Sequence, residues 1–387
     1  MNRKTKGDYL WLVFFIIIFI NGFESGGYQA SLLDIGKTYD LSTTSKGIFA
    51  SVELFATMLA PIILGAWADR SNKLNFLKLF LIIQLATSFM ITILTSRIIF
   101  LGAMFIIGLT TSALQFVAIA ALVDYYPLSG NKKIGYLTSM YALGAFVAPL
   151  VVAFYLHLGF SWRTLFASMA ITSAIAVFGL VHPSDTVRED VDTIIKENAV
   201  GKFILPGILM LCIVMCIYVG YENGFAFFID TLFAEEFASS LGKYALSIFW
   251  IVMIPSRVMV GHTSKHSSAI LICATIAIPT ITFIIAQLSS DIAVFLLCIP
   301  LGFACGSIYP CVLTLAMPFA GAHKATATGM ITTATGIGAV VFTALTGYMG
   351  EKWDLKTAVV FLSYFFVISL AAVILLAHKF SKNLTSE

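Results

Sequence analysis

Residues 10–31 read LWLVFFIIIFINGFESGGYQAS. Leu10 to Ile20 are apolar without a break, and Asn21-Gly22-Phe23-Glu24-Ser25-Gly26 then sets one carboxylate into an otherwise uncharged run. An α-helix needs about 20 mostly apolar residues to cross the hydrocarbon core of a bilayer. A helix is the form such a run must take, because lipid offers no partner for a free backbone N–H or C=O. Arg3, Lys4 and Lys6 precede the run, but no small-x-small cleavage pattern follows it. It therefore reads as a retained spanning helix, not as a secretory leader.

The rest of the chain repeats this pattern. Similar runs lie near 47–68, 75–95, 98–122, 136–157 and 163–181, then near 203–232, 241–260, 268–288, 291–318, 326–349 and 355–378. Of the 387 residues, 59% are hydrophobic and 11% charged, against roughly 25% charged in a soluble domain. Water could not solvate this composition, and lipid can. The expectation is an all-α membrane protein of about twelve spans. Residues 1–181 would form one six-helix bundle and 202–387 a second. The polar stretch 182–201, with Asp185, Arg188, Glu189, Asp190, Asp192, Lys196 and Glu197, would be a cytoplasmic linker.

Charge sets the orientation. With the N-terminus inside, sixteen of the 23 Lys and Arg residues, Arg257 among them, fall on the cytoplasmic side and seven outside. That bias is the positive-inside pattern, and it predicts a multi-pass protein of the cell membrane with both termini cytoplasmic. The net charge of +3 gives no reason to expect nucleic acid. Lipid is the expected surrounding, and a monomer the expected state. Six cysteines, Cys212, Cys216, Cys273, Cys298, Cys305 and Cys311, sit inside apolar runs, where they read as small apolar residues, not as a disulfide framework or metal site. No cofactor and no metal are expected.

The two halves resemble one another. Gly22-Phe23-Glu24-Ser25-Gly26 matches Gly220-Tyr221-Glu222-Asn223-Gly224 at an offset of 198, and Gly65 matches Gly261 at 196. Gly130-x-x-Lys133 matches Gly321-x-x-Lys324 at 191. A shared order at a nearly constant offset indicates duplication.

Between the second and third runs stands Gly65-Ala66-Trp67-Ala68-Asp69-Arg70-Ser71-Asn72-Lys73. Gly65 would let two helices approach closely, and Asp69 would cap the third helix. The stretch resembles the signature loop of the major facilitator superfamily, with Ser71-Asn72-Lys73 in place of that pattern's Gly-Arg end. The resemblance implies a major facilitator fold, two pseudo-symmetric six-helix bundles, and a gating latch formed by Gly65, Asp69, Arg70 and Lys73. Gly144-Ala145-Phe146-Val147-Ala148-Pro149 is loosely similar to the superfamily's helix-5 motif, and its small residues and proline predict close packing with a bend. Tyr218-Val219-Gly220-Tyr221-Glu222, with Phe249-Trp250 and Ser256-Arg257, is similar to the fucose–galactose–proton symporter group. That similarity implies a sugar-like polar solute.

Seventeen of the twenty acids read as loop or helix-end residues, and Glu24, Glu53 and Glu222 do not. An ionisable group inside a span is costly and as a rule faces a partner or a wet cavity. Asn21, Glu24 and Tyr28 share one face of the first helix, and Tyr218, Glu222 and Phe225 share one of the seventh. The resemblance implies that helices 1, 4, 7 and 10 line a cavity. Helix 4 would add Thr111 and Gln115, and helix 10 would add Gly302, Gly306 and Tyr309, with Pro310 as a bend. The expected substrate ligands are Asn21, Glu24, Tyr28, Gln115, Tyr218, Glu222, Asn223 and Tyr309. Glu24 and Glu53 are the expected proton-coupling residues. Glu24 is the first choice, because it and Glu222 would converge on one cavity, where like charges in an apolar setting disfavour joint ionisation, while Glu53 could equally serve as a gate or reach the outer headgroups.

No nucleotide loop, His-Glu-x-x-His or Gly-x-Ser-x-Gly motif is present. An enzyme is therefore not expected. A sensor or scaffold would need an added signalling domain, for which the spans leave no room. What remains is a secondary active transporter working by alternating access and coupled to protons. Import of a sugar-like solute by symport competes with antiport efflux of cationic or lipophilic compounds, and two carboxylates beside aromatic rings suit either.

Overall fold

The computed structural model describes residues 9–126, 130–181, 203–321 and 324–379, so the 182–201 linker lies outside the described residues. Every regular element among them is helical. The first half holds α1 (Leu10–Tyr39), α2 (Thr43–Arg70), α3 (Lys73–Ile93), α4 (Arg97–Tyr125), α5 (Gly130–His157) and α6 (Thr164–Val181). The second holds α7 (Leu205–Phe237), α8 (Gly242–His262), α9 (Ser267–Gln287), α10 (Asp291–Ala320), α11 (Lys324–Lys352), α12 (Leu355–Ser363) and α13 (Phe366–Lys379). Eleven apolar segments are long enough to cross a membrane, with α12 and α13 counted together as Leu355–His378, and Thr164–Leu180 is a shorter twelfth. Large apolar side chains point outward: Ile98 is 82% exposed, Phe178 74% and Val367 65%. Water would not tolerate a surface of that kind over so many helices, so the chain is an all-α, multi-pass membrane protein.

Helices α1 and α7 run further than the apolar runs predict, to Tyr39 and Phe237 instead of about 31 and 232. Their polar ends stay helical because the charges there find partners, as described below. Both helices stop in the same way. Asp40 (φ 51°) and Ala238 (φ 48°) adopt the left-handed conformation just past the last turn. The Leu41 N–H donates to Gly36 O at 2.9 Å and the Ser239 N–H to Phe233 O at 3.0 Å, which satisfies end carbonyls that would otherwise be bare. The two positions are 198 residues apart, the offset of Gly22 and Gly220, so the duplication extends to the way the helices end.

Packing repeats too. At the α1–α5 crossing a Cβ on Gly22 would strike the backbone of Tyr141, and one on Gly144 the backbone of Phe19 and Phe23. At the α7–α11 crossing a Cβ on Gly338 would strike Cys216. Backbones this close let dispersion forces join helices that lipid does not push together. Gly108 of α4 seats likewise against the backbone of Glu53 in α2, and Gly306 of α10 against Met253 in α8.

Contacts group the chain into two compact units. One takes α1 up to Ser31 and the chain from Val52 through α6, and the other takes Leu32–Ser51 with everything from α7 onward. The division by sequence halves and the division by contact thus differ over Leu32–Ser51. In the first unit Phe14, Ile17, Leu77, Leu81, Leu114 and Val117 belong to one core, and α3 packs on α4 and α6. In the second unit α7 is central, touched by α8, α10, α11, α12 and α13. That position explains why apolar and aromatic residues surround it on all faces.

Candidate functional site

The expected site residues fall into two clusters, one in each unit. In the first unit Asn21 donates from Nδ2 to the Thr111 carbonyl at 2.8 Å, tying α1 to α4. Its buried Oδ1 has no partner among the described residues. One turn on, Glu24 is 1% exposed, and its Oε1 likewise has none among them. Tyr28 is fully buried, its ring edge-on to Phe100 at 6.4 Å. Glu53 of α2 is 7% exposed and accepts from the Thr57 hydroxyl at 3.1 Å, while that hydroxyl also reaches the Gly108 carbonyl at 3.2 Å. The charge that acts on Glu24 is that of Glu53, and neither acid has a cationic partner among the described residues. Gln115 lies half-buried one turn from Thr111 on α4 and makes no hydrogen bond among the described residues.

In the second unit Tyr218 and Glu222 lie one turn apart on α7, 1% and 8% exposed. The Tyr218 phenol stands beside the Glu222 carboxyl, and Glu222 Oε2 has no hydrogen-bond partner among the described residues. Their neighbours are committed elsewhere. The Tyr221 hydroxyl pairs with Thr282 Oγ1 at 2.5 Å, and Asn223 Nδ2 donates back to the Val219 carbonyl at 2.9 Å. Asn223, expected as a ligand, thus spends its amide donor on its own helix.

Arg257, counted above among the cytoplasmic charges, lies within α8. Its charge acts on Glu222, Tyr218 and Tyr309 of α10. Among the described residues its buried Nε has no partner, and its Nη2 reaches the Met253 sulfur at 3.9 Å. Direct ion pairs among the described residues are Lys37–Asp34, Lys46–Glu235 and Lys243 with Asp34 and Asp230. Arg257 and Glu222 are not among them. Tyr309 is 39% exposed.

The same unit holds an array that sequence reading passed over. Lys243, at the start of α8, lies 2.5 Å from Asp230 Oδ2 and 3.1 Å from Asp34 Oδ2. Lys46, 6% exposed, meets Glu235 at 3.2 Å. The Thr44 N–H donates to Glu351 Oε2 at 2.7 Å, and the Ser51 hydroxyl to the Val340 carbonyl at 2.9 Å. The ends of α1 and α2 are thereby bound to α7, α8 and α11. Asp230 corrects the count of internal acids: it is a fourth, 4% exposed, because α7 continues past it. A carboxylate buried so deeply needs a cation, and Lys243 supplies it. The detectable signal was the repeat itself, since Asp34 and Asp230 stand 196 residues apart.

The 65–73 stretch differs from expectation at two points. Asp69 lies within α2, and it is Asn72 that caps α3 by accepting the Asn75 N–H at 3.1 Å. Gly65 does not bring helices together, since a Cβ there would meet nothing within 4 Å among the described residues. Arg70 ends α2 and is exposed, and Lys73 begins α3. The Asp69 side chain lies outside the described residues. All six cysteines are free thiols on α7, α9 and α10.

Several solved structures share this fold. A bacterial homologue of the human lysosomal transporter Spinster, inward-facing and unoccupied, superposes with a TM-score of 0.79 at 15% identity, covering 99% of both chains. A D-xylose–proton symporter gives 0.76 at 14% identity, covering 95% of this chain and 96% of that one. A nucleoside transporter gives 0.71 at 17% identity, covering 95% and 98%. At these identities the likeness is one of fold. No curated protein sequence matches the chain. The sequence profile of the Major Facilitator Superfamily matches residues 14–343, and with the helical repeat above this establishes that the chain belongs to the Major Facilitator Superfamily of transporters.

Proposed function

We propose that the protein is a proton-coupled secondary transporter that imports a small polar solute by alternating access. The observation that carries this reading is the pair Glu24 and Glu53: two acids buried in a membrane bundle, the charge of Glu53 acting on Glu24, with no cation beside either among the described residues. Such groups are too costly to keep as filler, and a proton is the smallest partner that can neutralise them. Glu24 is the carrier in this reading, and Glu53, held by Thr57, sets its environment. The Tyr218–Glu222 cluster binds the solute, with Asn21, Tyr28, Gln115, Asn223 and Tyr309 as further contacts. Gly65, Asp69, Arg70 and Lys73 govern exchange between states. Both termini face the cytoplasm, the membrane is that of the cell, and the working unit is a monomer. The neighbouring folds, a xylose–proton symporter and a nucleoside transporter, are compatible with a hydroxyl-bearing solute.

A second reading, antiport efflux of a cation, draws on the same uncompensated acids. Proteoliposomes with an inward proton gradient separate the two. Under the first reading, labelled xylose, galactose or uridine accumulates inside, and a protonophore abolishes the accumulation. Flux of a cationic dye against the proton gradient, with no sugar or nucleoside uptake, would overturn import.

A further inference from the structure

We infer that Asn21 is the positioning residue for the proton of Glu24: its side-chain carbonyl accepts the O–H of the neutral carboxyl. The inference rests on the proton-coupled reading above and names the group that holds the proton in place. Asn21 and Glu24 are 2% and 1% exposed. Asn21 Nδ2 donates to the Thr111 carbonyl of α4 at 2.8 Å. That bond decides which way round the amide stands, because only its nitrogen has hydrogens to give to a carbonyl. Oδ1 is thereby fixed as the other end, a buried acceptor with no partner among the described residues, and Glu24 Oε1 is in the same condition. Native interiors leave few such atoms unbonded without a use. Helix geometry brings the two together. Residues three apart lie on one face, and a long side chain leans back over the turn that precedes its own Cα. On that turn of α1, Ile20 offers Glu24 no side-chain polar atom, and Asn21 offers its amide.

An amide oxygen and an ionised carboxylate are both acceptors, so neither can satisfy the other, and two bare acceptors in a dry interior are costly. One proton resolves the conflict. It passes from water to a carboxylate oxygen of Glu24, and the resulting O–H donates to Asn21 Oδ1. Asn21 takes no proton itself; it makes the neutral acid the fully bonded form. The second hydrogen on Nδ2 is left for the solute contact proposed above. The groups around the carboxyl leave this role to the amide. The titratable ones are Glu53 of α2, whose charge acts on Glu24, and Tyr28, on which the charge of Glu24 acts. From α4 comes Thr111, whose hydroxyl is given to the Ile107 carbonyl at 2.5 Å. Helix α5 passes Gly22 and Gly26 at Tyr141 and Ala145, and α6 meets Gly27 with Leu165. None of these residues is a cation that would hold Glu24 ionised.

Infrared difference spectroscopy between acid and alkaline pH, on the full-length protein in proteoliposomes, tests this. The carbonyl band of neutral Glu24 is the one missing in Glu24→Gln. In the wild type it should lie where a hydrogen-bonded acid absorbs. In Asn21→Leu it should move to the higher wavenumber of an acid without an acceptor, and Asn21→Val carries the same test if the leucine variant fails to fold. In the same vesicles, accumulation of labelled xylose, galactose or uridine on a proton gradient should fall about fivefold in either variant, the effect of one hydrogen bond lost from the neutral acid, while counterflow persists. A role confined to tying α1 to α4 would lower the melting temperature and counterflow together and leave the band where it is. A band that does not move overturns the inference, whatever happens to flux, and leaves the proton-coupled reading standing if the wild type still accumulates solute on the gradient. Conversely, a wild type that accumulates none of these solutes on a proton gradient sinks that reading, and a band that moves with Asn21 spares the hydrogen bond.

Discussion

The two units bury acids in different company. In the first, Glu24 and Glu53 share an apolar interior with each other, and Thr57 donates to Glu53. In the second, each buried acid has a cation in range: Arg257 acts on Glu222, and Lys243 grips Asp230. Duplication gave both units the same glutamate, at positions 24 and 222, and their surroundings then diverged. Where α2 carries Glu53, the matching part of α8 carries Phe249 and Trp250, and Arg257 stands one turn beyond Met253. An acid without a cation can be neutralised by a proton, and an acid beside a guanidinium has a cation to offset its charge. On the roles proposed above, one duplicated residue serves two tasks.

The widest gap between the units should appear when each glutamate is made amide. Glu24→Gln mimics a permanently protonated carrier, so gradient-driven accumulation should fall at least about 100-fold while counterflow exchange survives, the signature of a transition that no longer needs proton turnover. Glu222→Gln should do the reverse and weaken solute binding at every pH, with residual uptake still following the proton gradient. Should Glu24→Gln still concentrate solute while Glu53→Gln cannot, the carrier is Glu53. If both amides behave alike, the contrast between the units has no functional content.

Next in size is the compensated acid of the second unit. Lys243→Met leaves Asp230 buried without its cation, a loss of about 3–5 kcal/mol for a broken buried pair. The detergent-solubilised variant should melt well below wild type, and Asp230→Asn in the same chain should recover most of the difference. Equal melting of the single and double variants would mean that the pair is not holding these helix ends.

The smallest effect is expected at the α2–α3 junction. Asp69→Asn should slow exchange between states several-fold and leave equilibrium affinity nearly unchanged, read by stopped-flow and by binding on one preparation. A collapse of affinity with normal exchange would remove this junction from the gating apparatus.

Helix number and order were legible because lipid imposes a crude rule, a long apolar run per span, that survives sequence drift. The repeat was legible wherever glycine was required, as at Gly22 and Gly220, because a backbone approach admits no other residue. Glu24, Glu53 and Glu222 stood out as charges in the wrong solvent. Asp230 and Arg257 did not, since each lies near the end of an apolar run and reads as a flanking charge until the helix is seen to continue past it. The cap at Asn72 was hidden for a similar reason: Asp69, Ser71 and Asn72 are all competent caps, and the choice depends on where α2 stops. Partner choice across helices, such as Lys243 with Asp34, depends on register in three dimensions and leaves no periodic trace.

Helix α1 carries Glu24 and Asp34 on a single unbroken rod, ten residues apart and so separated by about 15 Å of axial rise. A hydrogen-bonded helix is stiff in torsion. A turn of the rod that re-aims Glu24 swings Asp34 through the same angle, toward or away from Lys243. Under the role proposed for Glu24, that acid and the ion-paired helix end are two marks on one crankshaft, and a spin label or fluorophore near Lys37 is expected to report its protonation.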